Sequence, residues 1–149
     1  MKWLSLPLFL CSFVLASSAR AQSASLDHIA VYVTDLQRSA AFYGSILKLD
    51  TIPEPFHDGK HAWFTLGGGA QLHLISGATT LPARPKNHHL CFRFTTLTPF
   101  IDRLKTAGIP YEDWAGKPSA ITLRPDGVHQ IYLKDPDGYW IEVNDAAGK

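Results

Sequence analysis

Cysteine is nearly absent from this chain: Cys11 and Cys91 are the two present, beside a single methionine. A disulfide framework is therefore excluded, and stability has to come from packing. An excess of charge of one sign is also lacking, since 14 Lys and Arg against 13 Asp and Glu leave a formal net charge of +1. That balance gives no electrostatic case for nucleic acid or for an anionic membrane surface. Long apolar runs are missing beyond Ala16, and Trp3 to Ala16 is itself shorter than the roughly 20 residues a membrane span needs.

That first run has the form of a leader. Lys2 precedes it, and Ser17-Ser18-Ala19-Arg20-Ala21 puts small residues at Ala19 and Ala21, the positions a signal peptidase reads. A secretory signal over residues 1–21 is expected, and with it an exported protein, periplasmic or secreted. Cys11 follows Leu10 rather than a small residue, so no lipid anchor and no membrane association after cleavage are expected. Residues 22–149 then suit one compact domain, one unit negative and with Cys91 as its lone thiol.

The remaining chain reads as one unit used twice. Leu26 to Thr34 alternates apolar and polar residues and is rich in β-branched side chains, which predicts a half-buried strand. A helix is predicted over 35–47, capped by Thr34 or Asp35, followed by extended segments over 51–54, 61–66 and 70–76. The second unit restarts with an alternating strand over 88–95 and a helix from Thr98-Pro99 through Ala107, stopped by Gly108. Extended segments follow over 109–113, 128–134 and 139–144, and Asp135-Pro136-Asp137-Gly138 forms a turn between the last two. Residues 115–126 are expected to be an irregular loop. His28 and His89 are 61 positions apart, as are Ile29 and Leu90, Val31 and Phe92, and Thr34 and Thr95. A fixed spacing of this kind implies a duplicated structural unit, with modules over about 26–76 and 88–144.

Period two determines what each strand shows to either side. Ile29, Val31 and Val33 oppose His28, Ala30 and Tyr32, while Leu90, Phe92 and Phe94 oppose His89, Cys91 and Arg93. Leu72 and Leu74 oppose Gln71 and His73, and Ile141 and Val143 oppose Trp140, Glu142 and Asn144. Four strands thus place His28, His73, His89 and Glu142 on the face away from the helices, two from each module. Imidazole nitrogen and carboxylate oxygen suit one divalent ion of Zn, Ni, Mn, Co or Fe, with positions left open for a substrate. A curved sheet is expected to carry the four inward to one point. Tyr32, Trp63, Gln71, Arg93 and Trp140 are candidates to line the substrate pocket. His61 is the remaining histidine expected to be least exposed.

These motifs resemble the vicinal oxygen chelate superfamily, which includes glyoxalase I, fosfomycin-resistance enzymes, bleomycin-binding proteins and extradiol dioxygenases. The carriers are Leu26-Asp27-His28-Ile29-Ala30-Val31, His88-His89-Leu90 and Asp135-Pro136-Asp137-Gly138-Tyr139-Trp140-Ile141-Glu142. The resemblance implies an α+β fold in which paired βαβββ modules form a curved mixed sheet around a metal cavity. It implies metal ligands at His28, His73, His89 and Glu142, a small-molecule substrate and a homodimer. It also implies a glyoxalase-like lyase or isomerase, with His73 as fourth ligand or general base. The chain departs from glyoxalase I at His73, where a glutamate is usual, and at Tyr32 and near Gly77, where glutathione-binding Arg and Asn are usual. It departs from the fosfomycin thiol transferases at Ala30, where a hydroxyl residue is usual. The alternative enzyme is an Fe(II) extradiol ring-cleaving dioxygenase, with His73 and Tyr132 handling protons. The alternative of another class is a non-catalytic resistance protein that sequesters its ligand, against which the intact metal residues argue.

Overall fold

The computed structural model describes residues 23–81 and 83–147, so the expected leader lies outside the described residues. In β1 (His28–Val33) alternation holds: Val31 and Val33 are buried and His28, Ala30 and Tyr32 are exposed. β1 pairs in parallel with β4 (Ala70–Ser76), and β4 runs antiparallel to β3 (His61–Gly67), which pairs with β2 (Thr51–Ile52). After β1 the chain enters α1 (Leu36–Ala41), whose first turn is capped by the Asp35 carboxylate accepting from the Arg38 N–H at 3.0 Å. The predicted helix then changes character, widening into a π-helical turn over Phe42–Ile46. Successive residues on an α-helix point about 100° apart. The wider turn instead buries adjacent Phe42 and Tyr43 together, at 6% and 0% exposed.

The second module repeats the plan with β5 (His89–Arg93), α2 (Thr98–Thr106), β6 (Tyr111–Glu112), β7 (Thr122–Leu123), β8 (His129–Lys134) and β9 (Trp140–Asn144). The two sheets have the same order, β1-β4-β3-β2 and β5-β9-β8-β6, with a parallel pair first in each. β7 corrects the expectation of an irregular 115–126 loop. Arg124 N–H donates to the Val128 carbonyl at 2.8 Å, closing a hairpin that lays Thr122 and Leu123 against Gln130 and His129. Pro125 and Gly127 in that turn hid the short strand from a reading by composition.

One apolar core serves both modules. Val31, Leu72 and Phe64 from the first join Phe100, Ile131 and Ile141 from the second, each worth roughly 1.5–3 kcal/mol when fully buried. α2 is tied to the π-helical turn by Arg103, which donates to the Ile46 carbonyl at 2.8 Å. The Asp135–Gly138 turn docks on the start of α1. There Asp137 accepts from the Thr34 N–H and hydroxyl at 2.8 and 2.6 Å and from the Ser39 hydroxyl at 2.5 Å. Gly138 takes φ +79 in this turn, a backbone geometry that side chains resist. The result is two open curved sheets joined by one apolar core, with the polar face of the first partly exposed and Gln130, Tyr132, Glu142 and Asn144 on that of the second buried.

Candidate metal half-sites

The structure groups the predicted residues into two pairs rather than one centre. Among the described residues no three His, Cys, Asp or Glu side chains converge to hold a metal ion. Convergence of His28, His73, His89 and Glu142 within one chain, expected from sheet curvature, is therefore not found. Period two sets which side of a sheet a residue occupies, but helix packing and the Asp135–Gly138 turn set how the two sheets stand to each other.

The first half-site lies on the open face of β1, β3 and β4. His28 donates from Nδ1 to the Asp27 carboxylate at 2.6 Å, which leaves Nε2 as the free lone pair. His73 lies flat between two rings, 3.8 Å from Trp63 and 4.3 Å from His28, within 2° and 9° of parallel. Its Nε2–H donates to the Gln71 side-chain oxygen at 2.8 Å, so Nδ1 carries its lone pair. Burial, then the neighbouring His28, hold the His73 pKa below the ordinary 6.5, which favours the neutral ring. Tyr32, on the same face, turns its hydroxyl over Gly77, where a Cβ would stand 2.8 Å from it. His61 is half-buried beside Asp58, as expected, and His57, His88 and His129 are exposed.

The second half-site is more enclosed. His89 donates from Nδ1 to the Lys86 carbonyl at 2.7 Å, and its Nε2 faces the Glu142 carboxylate at 3.2 Å. A carbonyl only accepts, so in a neutral His89 two lone pairs confront each other across that gap. Glu142, 6% exposed, accepts from the Tyr132 hydroxyl at 2.6 Å, the Asn144 amide at 2.9 Å and the Cys91 thiol at 3.4 Å. Burial raises its pKa, but these three hydrogen bonds and the His89 charge outweigh it and hold the carboxyl below its usual range. Burial and the Glu142 carboxylate push the Tyr132 phenol up and the Cys91 thiol up to about 12. Both therefore act here as donors.

Tyr132 is thus committed to Glu142 and separated from His73, with which it was expected to share proton transfer. Trp140 donates from Nε1 to the Arg84 carbonyl at 3.0 Å, with Lys86 and Lys134 over its ring. Arg93 ends β5 in the open and joins neither pair. Sequence reasoning missed Asp27, Asn144 and Lys86. The first two had a signal, being adjacent to His28 and two residues beyond Glu142 on one strand face. Lys86 had none. It lies in the inter-module linker, donates to the Asp113 and Trp114 carbonyls at 3.0 and 3.1 Å and pairs with Glu112.

A profile of the Glyoxalase/Bleomycin resistance protein/Dioxygenase superfamily matches residues 25–143, which include both half-sites. The chain belongs to this superfamily. Among relatives of the superfamily, "Glyoxylase I 4" of Arabidopsis thaliana is 26% identical over 125 residues, covering 80% of this chain and 69% of its own. A solved glyoxalase family protein from Bacillus anthracis is 27% identical at a TM-score of 0.64, covering 84% of this chain and 97% of its own. The fosfomycin resistance protein FosX of Listeria monocytogenes shares the fold at a TM-score of 0.66 and 20% identity, over 85% of this chain and 96% of its own. The paired βαβββ architecture read from the sequence is the superfamily's.

The donor chemistry of three residues suits a divalent metal, although within one chain they stand in two separate half-sites. His28 Nε2, His89 Nε2 and a Glu142 oxygen are free lone pairs, each ligand held from behind by a second hydrogen bond. Tetrahedral ligands at the usual ~2.0–2.1 Å stand about 3.3 Å from each other, close to the 3.2 Å found between His89 and Glu142. His73 stands apart from these three, stacked on His28. An imidazole binds a metal in its ring plane, and the near-parallel stack, 4.3 Å apart and within 9°, aims the two rings' lone pairs side by side.

Proposed function

We propose that the protein is a divalent-metal-dependent enzyme acting on a small oxygen-rich molecule, of the glyoxalase-like lyase or isomerase type. His28, His89 and Glu142 hold the metal, with the first module of one chain facing the second module of its partner in a homodimer. The observation that supports this reading is the His89 Nε2 facing a Glu142 oxygen at 3.2 Å while Nδ1 is already engaged, a gap that a proton or a shared metal ion fills. The similarity to relatives named as glyoxalases supports the reaction type. The leader-like start adds an exported location to the proposal.

When bound, the metal supplies Lewis-acid stabilisation of oxyanion charge on the substrate. The chain's own residues do the rest. Tyr132, Asn144 and Cys91 orient the Glu142 carboxylate and keep it ionised. His73 is held neutral, with Nδ1 able to take a proton from a substrate carbon beside a carbonyl, while Gln71 holds the opposite edge of the ring. His73 is thus read as the general base.

Elemental analysis of the purified full-length protein tests the reading. About one ion per chain is expected, falling to a few per cent in Glu142→Gln and in His89→Ala. Metal-free wild-type protein after growth with Zn, Ni, Mn, Co and Fe, or unchanged content in both variants, would reject it. The metal-free result favours ligand sequestration instead.

A further inference from the structure

The first half-site opens into a cavity of about 540 Å³, within the size range of small-molecule sites. Five rings run through it in unbroken contact. Phe56 stands 4.5 Å from His61 and 6.1 Å from Trp63, edge-on at 80°. Trp63 lies 3.8 Å from His73, and His73 lies 4.3 Å from His28. Among the described residues the buried Trp63 indole N–H finds no hydrogen-bond partner, and the ring is held by its contacts with His73 and Phe56. Among the described residues no lysine or arginine lines the cavity, while Asp27 does. Away from the His28 end, the walls therefore offer a ligand rings and no cationic side chain.

Phe56 is the unusual member. It is 59% exposed, yet its loop is tied down by two carboxylates. Glu54 accepts from the Phe56 and His57 N–H groups at 2.6 and 2.9 Å, and Asp58 accepts from the Lys60 N–H and the His61 ring at 2.9 Å each. Ordering a loop to hold an apolar ring in water is unfavourable until something covers the ring. In the corner between two rings 80° apart, a third ring can stack on one while meeting the other edge to face, the two arrangements in which aromatic rings attract each other.

We propose that this cavity binds an uncharged, planar aromatic part of the substrate, stacked in the corner formed by Phe56 and Trp63. The inference deepens the proposed function, on which it rests for taking the His28 end as the reacting end. Phe56 is the specificity-determining residue at its mouth.

Calorimetric titration of the purified full-length protein with benzamide and with cyclohexanecarboxamide tests this directly. The two share an uncharged amide and differ in the flatness of the ring, so simple apolar burial does not favour the first. Benzamide is expected to bind roughly three- to tenfold more tightly, and Phe56→Ala, at an exposed position, should bring the ratio close to one with an unchanged circular dichroism spectrum. Equal affinities, no binding of either compound at 20 mM (roughly twenty times a 1 mM affinity), or a preference that survives in Phe56→Ala would overturn the inference. Metal analysis of the same samples separates the two readings. A Phe56-dependent preference in metal-free protein keeps this inference and removes the proposed function, whereas bound metal without ring preference does the reverse.

Discussion

Glu142 keeps its charge in an enclosed place because donors surround it. Tyr132 supplies the shortest of these bonds, at 2.6 Å, and itself accepts from the Gln130 amide at 2.8 Å. Removing that hydroxyl leaves a carboxylate oxygen without its orienting donor. Tyr132→Phe should lower stability by about 1.5–3 kcal/mol, the worth of a hydrogen bond to a charged group. It should also weaken metal affinity about 10–100-fold, as loss of a ligand's supporting partner does. Competition with a colorimetric chelator measures the second effect, and an unchanged affinity would take Tyr132 out of the metal's support.

At the scale of elements, the Asp135–Gly138 turn and the start of α1 form the joint between modules. Asp137 is wholly buried and carries its charge against Thr34, Ser39 and, at 3.5 Å, Arg38. Burial opposes ionisation, but the Ser39 and Thr34 hydrogen bonds outweigh it and lower the Asp137 pKa below the ordinary 3.8. A carboxylate depressed in the folded state contributes stability fully above its unfolded value and loses it as pH falls through the folded one. Asp137→Asn should therefore destabilise by about 3 kcal/mol at neutral pH. It should also flatten the acid limb of the stability profile below the ordinary 3.8. Urea unfolding at a series of pH values reads both, and a variant with the wild-type acid limb would contradict the account.

At the scale of the whole molecule, the separation of the half-sites leads to a mixing experiment. In a dimer whose centres pair the first module of one chain with the second of its partner, His28→Ala and Glu142→Ala damage different halves. Homodimers of either should hold little metal. A heterodimer isolated with two affinity tags should recover one intact centre, hence about one ion per dimer. A centre built within one chain predicts no recovery, so a heterodimer as metal-poor as its parents would exclude the shared arrangement.

Much of the fold was legible because its signals are local. Alternation identified β1, β4, β5 and β9, the 61-residue offset exposed the duplication, and the turn residues at 135–138 placed the last hairpin. The faces bearing His28, His73, His89 and Glu142 followed from the pleat alone. The amino-acid order by itself thus determined which residues point away from the helices and which pair on each sheet. The tertiary structure alone decided that His73 stacks between Trp63 and His28, and that Lys86 reaches the 113–114 backbone. It also decided that the two pairs stand apart within one chain. Those outcomes depend on contacts such as Thr34 with Asp137, 103 residues distant, and no local periodicity encodes the distance between two sheets.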